Sequence, residues 1–313
     1  MAKVTNAFDT YTAKGNREDL SNIIYNISPV DTPILSSIGR RNISNVTFDW
    51  QTESLPSVDT ANAYEEGFEL SRTAATATVR VSNIAQISKR DATVTGSQQA
   101  ANAAGKADEM ARQMSISAKA LKRDMESILS QNQAKVVGNA STARKTRALE
   151  HWLTTNVSRG ATGAAAVSDT AVMTDGTQRA FTEALLKTVL QTAYTNGAEP
   201  SMIVVGPVNK VKLSDFTGRS QARQNVSATT IQQAVSVYAS DFGDVKVVPS
   251  RFTRERTALL LDPEYAKVAF YRNFQQTEIA KIGDADTRML TAEWGLEVSN
   301  EAAHAAIFDL TTS

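Results

Sequence analysis

The sequence has no cysteine, so neither disulfides nor thiolate metal sites can hold it together, and stability must come from packing and assembly. Only two histidines occur, His151 and His304, which leaves little material for metal or acid–base chemistry. Net charge is also missing: 33 Lys and Arg balance 33 Asp and Glu, so no overall field drives the chain onto nucleic acid, an anionic membrane or an acidic substrate. No apolar run reaches the ~18 residues of a membrane helix. The opening MAKVTNAFDTYTAKGNREDL lacks the apolar centre of a secretory signal, which predicts a soluble, unexported protein. Aromatics are scarce at 6%, yet a 42% apolar fraction is too high for a disordered chain. At 313 residues the chain is long for one core and suits two domains, or one domain with long extensions.

Catalytic motifs are equally thin. A serine nucleophile would have to use one of the two histidines, and no nucleophile-elbow pattern accompanies either. His304, within NEAAHAAIFDL, reads as a packed or surface histidine. Gly105 and Lys106 lack the glycine five positions earlier that a phosphate-cradling loop needs, and no GxGxxG occurs. Asp284 and Asp286 stand beside Gly283, but no regular series of oxygen ligands follows, so a turn is the better reading than a calcium loop. Met110, Met114 and Met125 share a helical spacing that fits a core.

Asn16 caps a predicted helix with Leu20, Ile23, Ile24 and Ile27 on one face and Pro29 as its stop. A second short helix is predicted from Pro33, capped by Asp31 or Thr32, burying Ile34, Leu35 and Ile38, and ending on a left-handed Gly39. Val46, Phe48 and Trp50, then Ala77, Val79 and Val81, alternate with polar residues and predict two strands of a long hairpin. The connection carries Glu53, Asp59, Glu65, Glu66 and Glu69, with no Lys or Arg before Arg72. Such long loops usually bind something or stay mobile.

Thr95 and Gln98 have capping-box spacing. The clearest helix runs from Asp108 to about Gln133, apolar at Met110, Met114, Ala118, Leu121, Met125 and Ile128, with Lys119, Lys122, Arg123 and Glu126 on its outer faces. It would span ~39 Å at ~1.5 Å per residue. Residues 138–177, rich in Gly, Ala, Ser and Thr around ALEHWL, read as an irregular connection. An α/β region follows. It has a helix bearing Phe181, Leu185 and Val189, a strand at Met202–Val205, a helix opened by Pro207, the polar stretch TGRSQARQNVSATT, and strands near Val235–Ala239, Val245–Val248 and Leu259–Leu261. Val268 and Phe270, then Leu290, Ala292, Trp294, Leu296 and Val298, alternate around a GDADT turn, so the chain returns in sheet.

The order of arm, long hairpin, spine helix, α/β insertion and return strands resembles the plan of the Hong Kong 97-type fold. GNREDLSNIIYNISPVDTPILSSIG and EWGLEVSNEAAHAAIFDL resemble a branch of the major capsid proteins of tailed bacteriophages. The similarity covers nearly the whole chain and is weakest over 138–177 and 217–230. It implies an α+β subunit with an N-terminal arm (1–43), an extended loop (44–83), a peripheral domain (84–175 with 263–313) and an axial domain (176–262). It also implies no catalytic residues, metal or cofactor. The expected role is self-assembly into hexamers and pentamers of an icosahedral head around double-stranded DNA, in the host cytoplasm and then in the virion. The further partners would be a portal and a scaffold or decoration protein, with no membrane. A start close to the arm favours a separate scaffold or none.

Elementary physics points the same way, because an arm and a long hairpin that cannot bury their apolar residues on their own domain need neighbours. The expected contacts are Leu20, Ile23 and Trp50, the loop residues Glu53, Leu55, Glu65, Glu66, Phe68, Glu69 and Leu70, and the helix cations Lys119, Lys122 and Arg123, with Arg251, Arg254 and Arg256 as further cations for the acidic loop. Arg144, Lys145 and Arg147, the tightest basic cluster, are candidates to face DNA phosphates. Rival readings are a nanocompartment shell of the same fold, a tail or baseplate subunit, and a hydrolase using a Ser or an Asp pair.

Overall fold

The structure is a computed structural model that describes residues 31–53, 58–69, 72, 74–75, 77–101, 108–216, 236–281 and 283–312. The helix expected over 16–27, the polar stretch 217–230, and the candidates Leu20, Ile23, Leu55 and Leu70 lie outside these residues.

A short helix, α1 (Pro33–Ser37), opens the described chain. Pro33 sits in its first turn, where a missing N–H is harmless, but Thr32 supplies no side-chain cap. The free N–H groups of Ile34 and Leu35 donate instead to the carboxylate of Glu126, at 2.9 and 2.8 Å. Glu126 is therefore not on an outer face, as its sequence context suggested, but wholly buried. Burial pushes its carboxyl pKa up, and the two N–H bonds pull it part of the way back. Nor does Gly39 end α1 in a left-handed turn: Ile38 leaves in extended conformation, and Gly39 begins strand β1 (Gly39–Asn42).

Strands β2 (Thr47–Thr52) and β3 (Val79–Ile84) pair antiparallel, with Phe48 opposite Asn83 and Trp50 opposite Val81. Strand β4 (Gln86–Thr95), which the sequence pattern did not predict, leads into α2 (Gly96–Ala100), where the Thr95 hydroxyl accepts the Gln98 N–H. The spine helix α3 (Glu109–Leu129) starts at the Asp108 cap on Ala111. Its 21 residues reach roughly 30 Å, short of the expected end at Gln133. Ser130 stops it, with its hydroxyl turned back to the Glu126 carbonyl and across to that of Phe252. Then follow α4 (Leu149–Trp152), β5 (Val157–Ser158), α5 (Glu183–Thr195), β6 (Met202–Val205), α6 (Pro207–Ser214), β7 (Val237–Ser240), β8 (Gly243–Pro249), β9 (Ala258–Leu261), β10 (Ala266–Ile279), β11 (Ala285–Val298) and β12 (Ala305–Ile307).

A four-stranded sheet has the order β1-β10-β11-β4. Its inner face presents Val94, Leu290, Ala292, Trp294 and Leu296 to Met110, Met114, Leu121 and Met125 of α3. By alternation Ile87, Lys89, Asp91 and Thr93 of β4 lie on the other face. A side chain at Gly295 would strike the Phe48 ring, so bare backbone in β11 lets the β2–β3 pair lie close.

A six-stranded sheet runs β5-β12-β9-β6-β8-β7. Its central strands read MIVV and ALLL because both faces are covered. Met202, Val204, Leu259 and Leu261 join the core of the spine helix. Ile203, Val205, Ala258 and Leu260 join a second core with Leu186, Val189 and Leu190 of α5. One sheet thus joins two cores.

Replacing Glu126 by Ala should cost about 2–4 kcal/mol, because two buried N–H groups lose their acceptor. Thr32→Ala, which removes no cap, should change stability by less than about 0.5 kcal/mol. Urea unfolding of the unassembled subunit checks both values.

Candidate functional site

In the connection from β2 to β3 every described residue from 58 to 69 is exposed, as is Glu53. At its tip the Phe68 N–H donates to the Glu65 carbonyl at 3.2 Å, and Gly67 turns with a left-handed φ of 86°. This fold-back stacks Phe68 on Tyr64, with ring centroids 4.8 Å apart, between the carboxylates Glu65, Glu66 and Glu69. At the root, Trp50 is half-buried by its own chain, 5.9 Å from Phe48 and 5.4 Å from Trp152 between ring centroids. Asp49 pairs with Arg80 across the two strands.

The candidate cations separate by environment. Lys119 and Lys122 are exposed on α3, whereas Arg123 is half-buried with its guanidinium 5.4 Å over the Phe252 ring. Arg254 and Arg256 are not available to an acidic loop, because they are spent on internal carboxylates, while Arg251 is exposed. In the basic trio, Arg144 pairs with buried Glu293 at 2.6 Å. Arg147 pairs with Asp169 at 2.7 Å and stacks 3.9 Å over Trp152. Lys145 is exposed.

Both histidines are fully buried and fastened to main chain. Asp262 N–H donates to His304 Nδ1 at 3.2 Å, and burial pushes the His304 pKa down to about 4. Arg147 donates to His151 Nδ1 at 2.7 Å, while His151 Nε2 meets the Ala171 carbonyl. Burial lowers this imidazole as well. Among the described residues no group of three or more His, Asp and Glu is placed to hold a metal ion.

The irregular segment 138–177 is fixed by carboxylates that sequence reasoning missed. Glu150, wholly buried, accepts from Arg254 at 2.8 Å and from the Thr257 hydroxyl at 2.7 Å. Arg254 also reaches Asp175. Asp309 accepts the N–H of Gly160 at 3.0 Å, that of Gly176 at 2.7 Å, and Arg256 at 3.0 Å. Glu301 accepts the N–H groups of Thr154 and Thr155, each at 2.6 Å. Acidic residues close to Gly and Thr runs were the available signal, but their partners lie up to 149 residues away.

These are fastenings of a scaffold whose exposed extension faces outward. The family model for the SU10 major capsid protein matches residues 3–311. The chain belongs to that capsid family. A curated relative, the major capsid protein of Escherichia phage Phieco32, is 27% identical over 338 aligned residues, covering 96% of each chain. Among solved structures, a chain of the cyanophage A-1(L) capsid asymmetric unit superposes with TM-score 0.66 at 13% identity, over 95% of this chain and 98% of that one. The holo-SrpI encapsulin complex from Synechococcus elongatus PCC 7942 superposes less closely, with TM-score 0.57 at 11% identity over 95% and 94%. The capsid subunit therefore has the Hong Kong 97-like α+β fold and is a self-assembling shell component of a tailed-phage virion.

Burial raises the Glu150 pKa to about 7, against the pull of Arg254. The fold thus holds this proton more tightly than the unfolded chain does, a contribution complete below the ordinary glutamate range and lost as pH rises through about 7. Arg254→Ala should destabilise the unassembled subunit by about 3–5 kcal/mol at pH 8, where it strands a buried anion. The loss should be smaller at pH 5, where Glu150 takes up a proton. Urea titrations at the two pH values measure the difference.

Proposed function

We propose that the subunit closes into hexamers and pentamers of an icosahedral head around double-stranded DNA, catalyses no reaction, and assembles in the host cytoplasm with a portal and a scaffold or decoration protein. Residues 1–43 act as an arm, 44–83 as an extended loop, 84–175 with 263–313 as the peripheral part and 176–262 as the axial part. Strands β5 and β12 carry the axial sheet across that seam.

The observation that carries this reading is the exposed tip from 58 to 69, an acidic, aromatic segment with no cover from its own body among the described residues. Five carboxylates between Glu53 and Glu69 repel one another, and the stacked Tyr64 and Phe68 leave apolar surface in water. A neighbouring subunit relieves both. Exposed ion pairs contribute only about 0–1 kcal/mol each, so the acids set register and the apolar residues supply the affinity. For the packaged DNA we assign a weak, salt-sensitive and non-specific contact to Lys145, which would have to face the interior of the shell; Arg144 and Arg147, the other two of the basic trio expected there, already have carboxylate partners.

Replacing residues 53–72 by a tight turn should leave the subunit's urea midpoint unchanged but abolish closed shells in negative-stain images. Charge reversal of Glu65 and Glu66 should mainly slow assembly at low salt, read by light scattering. Normal shells from the shortened chain would remove the clasp.

A further inference from the structure

We propose that the aromatic tip of one subunit seats in a socket on a second copy, where β4 meets the turn at 137–144. This rests on reading the loop as an inter-subunit clasp and names its receiving site. A cavity of about 410 Å³ opens there, lined by Ile87, Val137 and Ala143 and by the polar Asn139, Thr142 and Arg144. Ile87 is 52% and Val137 61% exposed, so two branched apolar side chains stand open at one place. Ile87 lies on the β4 face turned away from α3, where the spine helix cannot cover it.

The socket is built before a partner arrives. Val136 and Lys145 exchange both backbone hydrogen bonds at 3.0 Å. The Asn139 side-chain oxygen accepts the N–H groups of Ser141 and Thr142 at 2.9 Å each. Gly138 takes a left-handed φ of 78° with Arg144 packed against it. Preformed walls spare the ordering cost of binding.

Charge selects the occupant. Glu293 lies between Arg144 at 2.6 Å and Arg272 at 2.8 Å, so two cations share one buried anion and a positive excess remains beside the cavity. The tip offers the complement: Tyr64 and Phe68, 67% and 54% exposed, flanked by Glu65, Glu66 and Glu69. Aromatic anchors packing on Ile87 and Val137, with acids meeting cations at the rim, match the anatomy of an interface centre. The exposed lysines of α3 offer charge, but on the opposite side of the four-stranded sheet from Ile87.

Because the chain contains no cysteine, introduced pairs report proximity without background. Phe68→Cys combined with Val137→Cys, in shells assembled from the full chain, should give disulfide-linked oligomers on non-reducing gels after mild oxidation, since bridging requires Cα atoms within about 7 Å. Each single variant should not. Oligomers from Phe68→Cys with Lys119→Cys, but not from the Val137 pair, would overturn the socket and leave the clasp standing. No interchain bond from either pair would overturn the socket, and the shortened loop then decides the clasp separately. As a second readout, Val137→Asp should lower shell yield at least ~10-fold with an unchanged unfolding midpoint, because the side chain is exposed in the free subunit. Normal yield from that variant would also overturn the socket.

Discussion

Burial of β6 and β9 on both faces is the constraint on which the subunit depends. Alternate residues of the same strands feed the spine-helix core and the α5 core, so neither half can form its hydrophobic interior without the other. Strands that are apolar on both faces leave register weakly specified, because a one-residue slip exchanges one apolar set for another. Polar fastenings supply the missing specificity. The Asp262 N–H on His304 holds the end of β9 against the segment entering β12, and Glu150, Asp309 and Glu301 tie the irregular chain from 148 to 177 to the same region.

The acids consequently divide into two populations with opposite physics. Glu126, Glu150 and Asp309 are buried, each fully supplied with donors, and their removal strands N–H groups or cations in a medium that cannot solvate them. Glu65, Glu66 and Glu69 are exposed and have no such donors around them among the described residues. The chain is fastened to itself where carboxylates are satisfied internally, and its acids stand in solvent where they are not.

Much of the fold was legible wherever apolar residues followed a simple period. Met202–Val205, Leu259–Leu261 and the alternation from Leu290 to Val298 gave their strands directly, and Thr95 marked a helix start. Strand β4 escaped because much of its inner face is polar: Gln86 receives Gln133, Ser88 receives the Trp294 indole N–H, and Arg90 meets Asp124. Glu126 escaped for a related reason. A glutamate on an amphipathic helix reads as solvated, and nothing nearby in sequence reveals backbone donors 91 and 92 residues upstream. At the candidate site the acid run of the loop was visible, but the turn that stacks Tyr64 on Phe68 and the commitment of Arg254 and Arg256 to internal partners are products of tertiary geometry.

The Glu126 bond also imposes an order on synthesis. Residues 31–38 leave the ribosome long before residue 126, so α1 is born with uncapped N–H groups and an apolar face that has nothing to rest on. Its nucleus is too short to persist alone. Residues 31–38 are therefore among the first parts made and among the last to be fixed, because α1 waits for the far end of the spine helix to supply its acceptor.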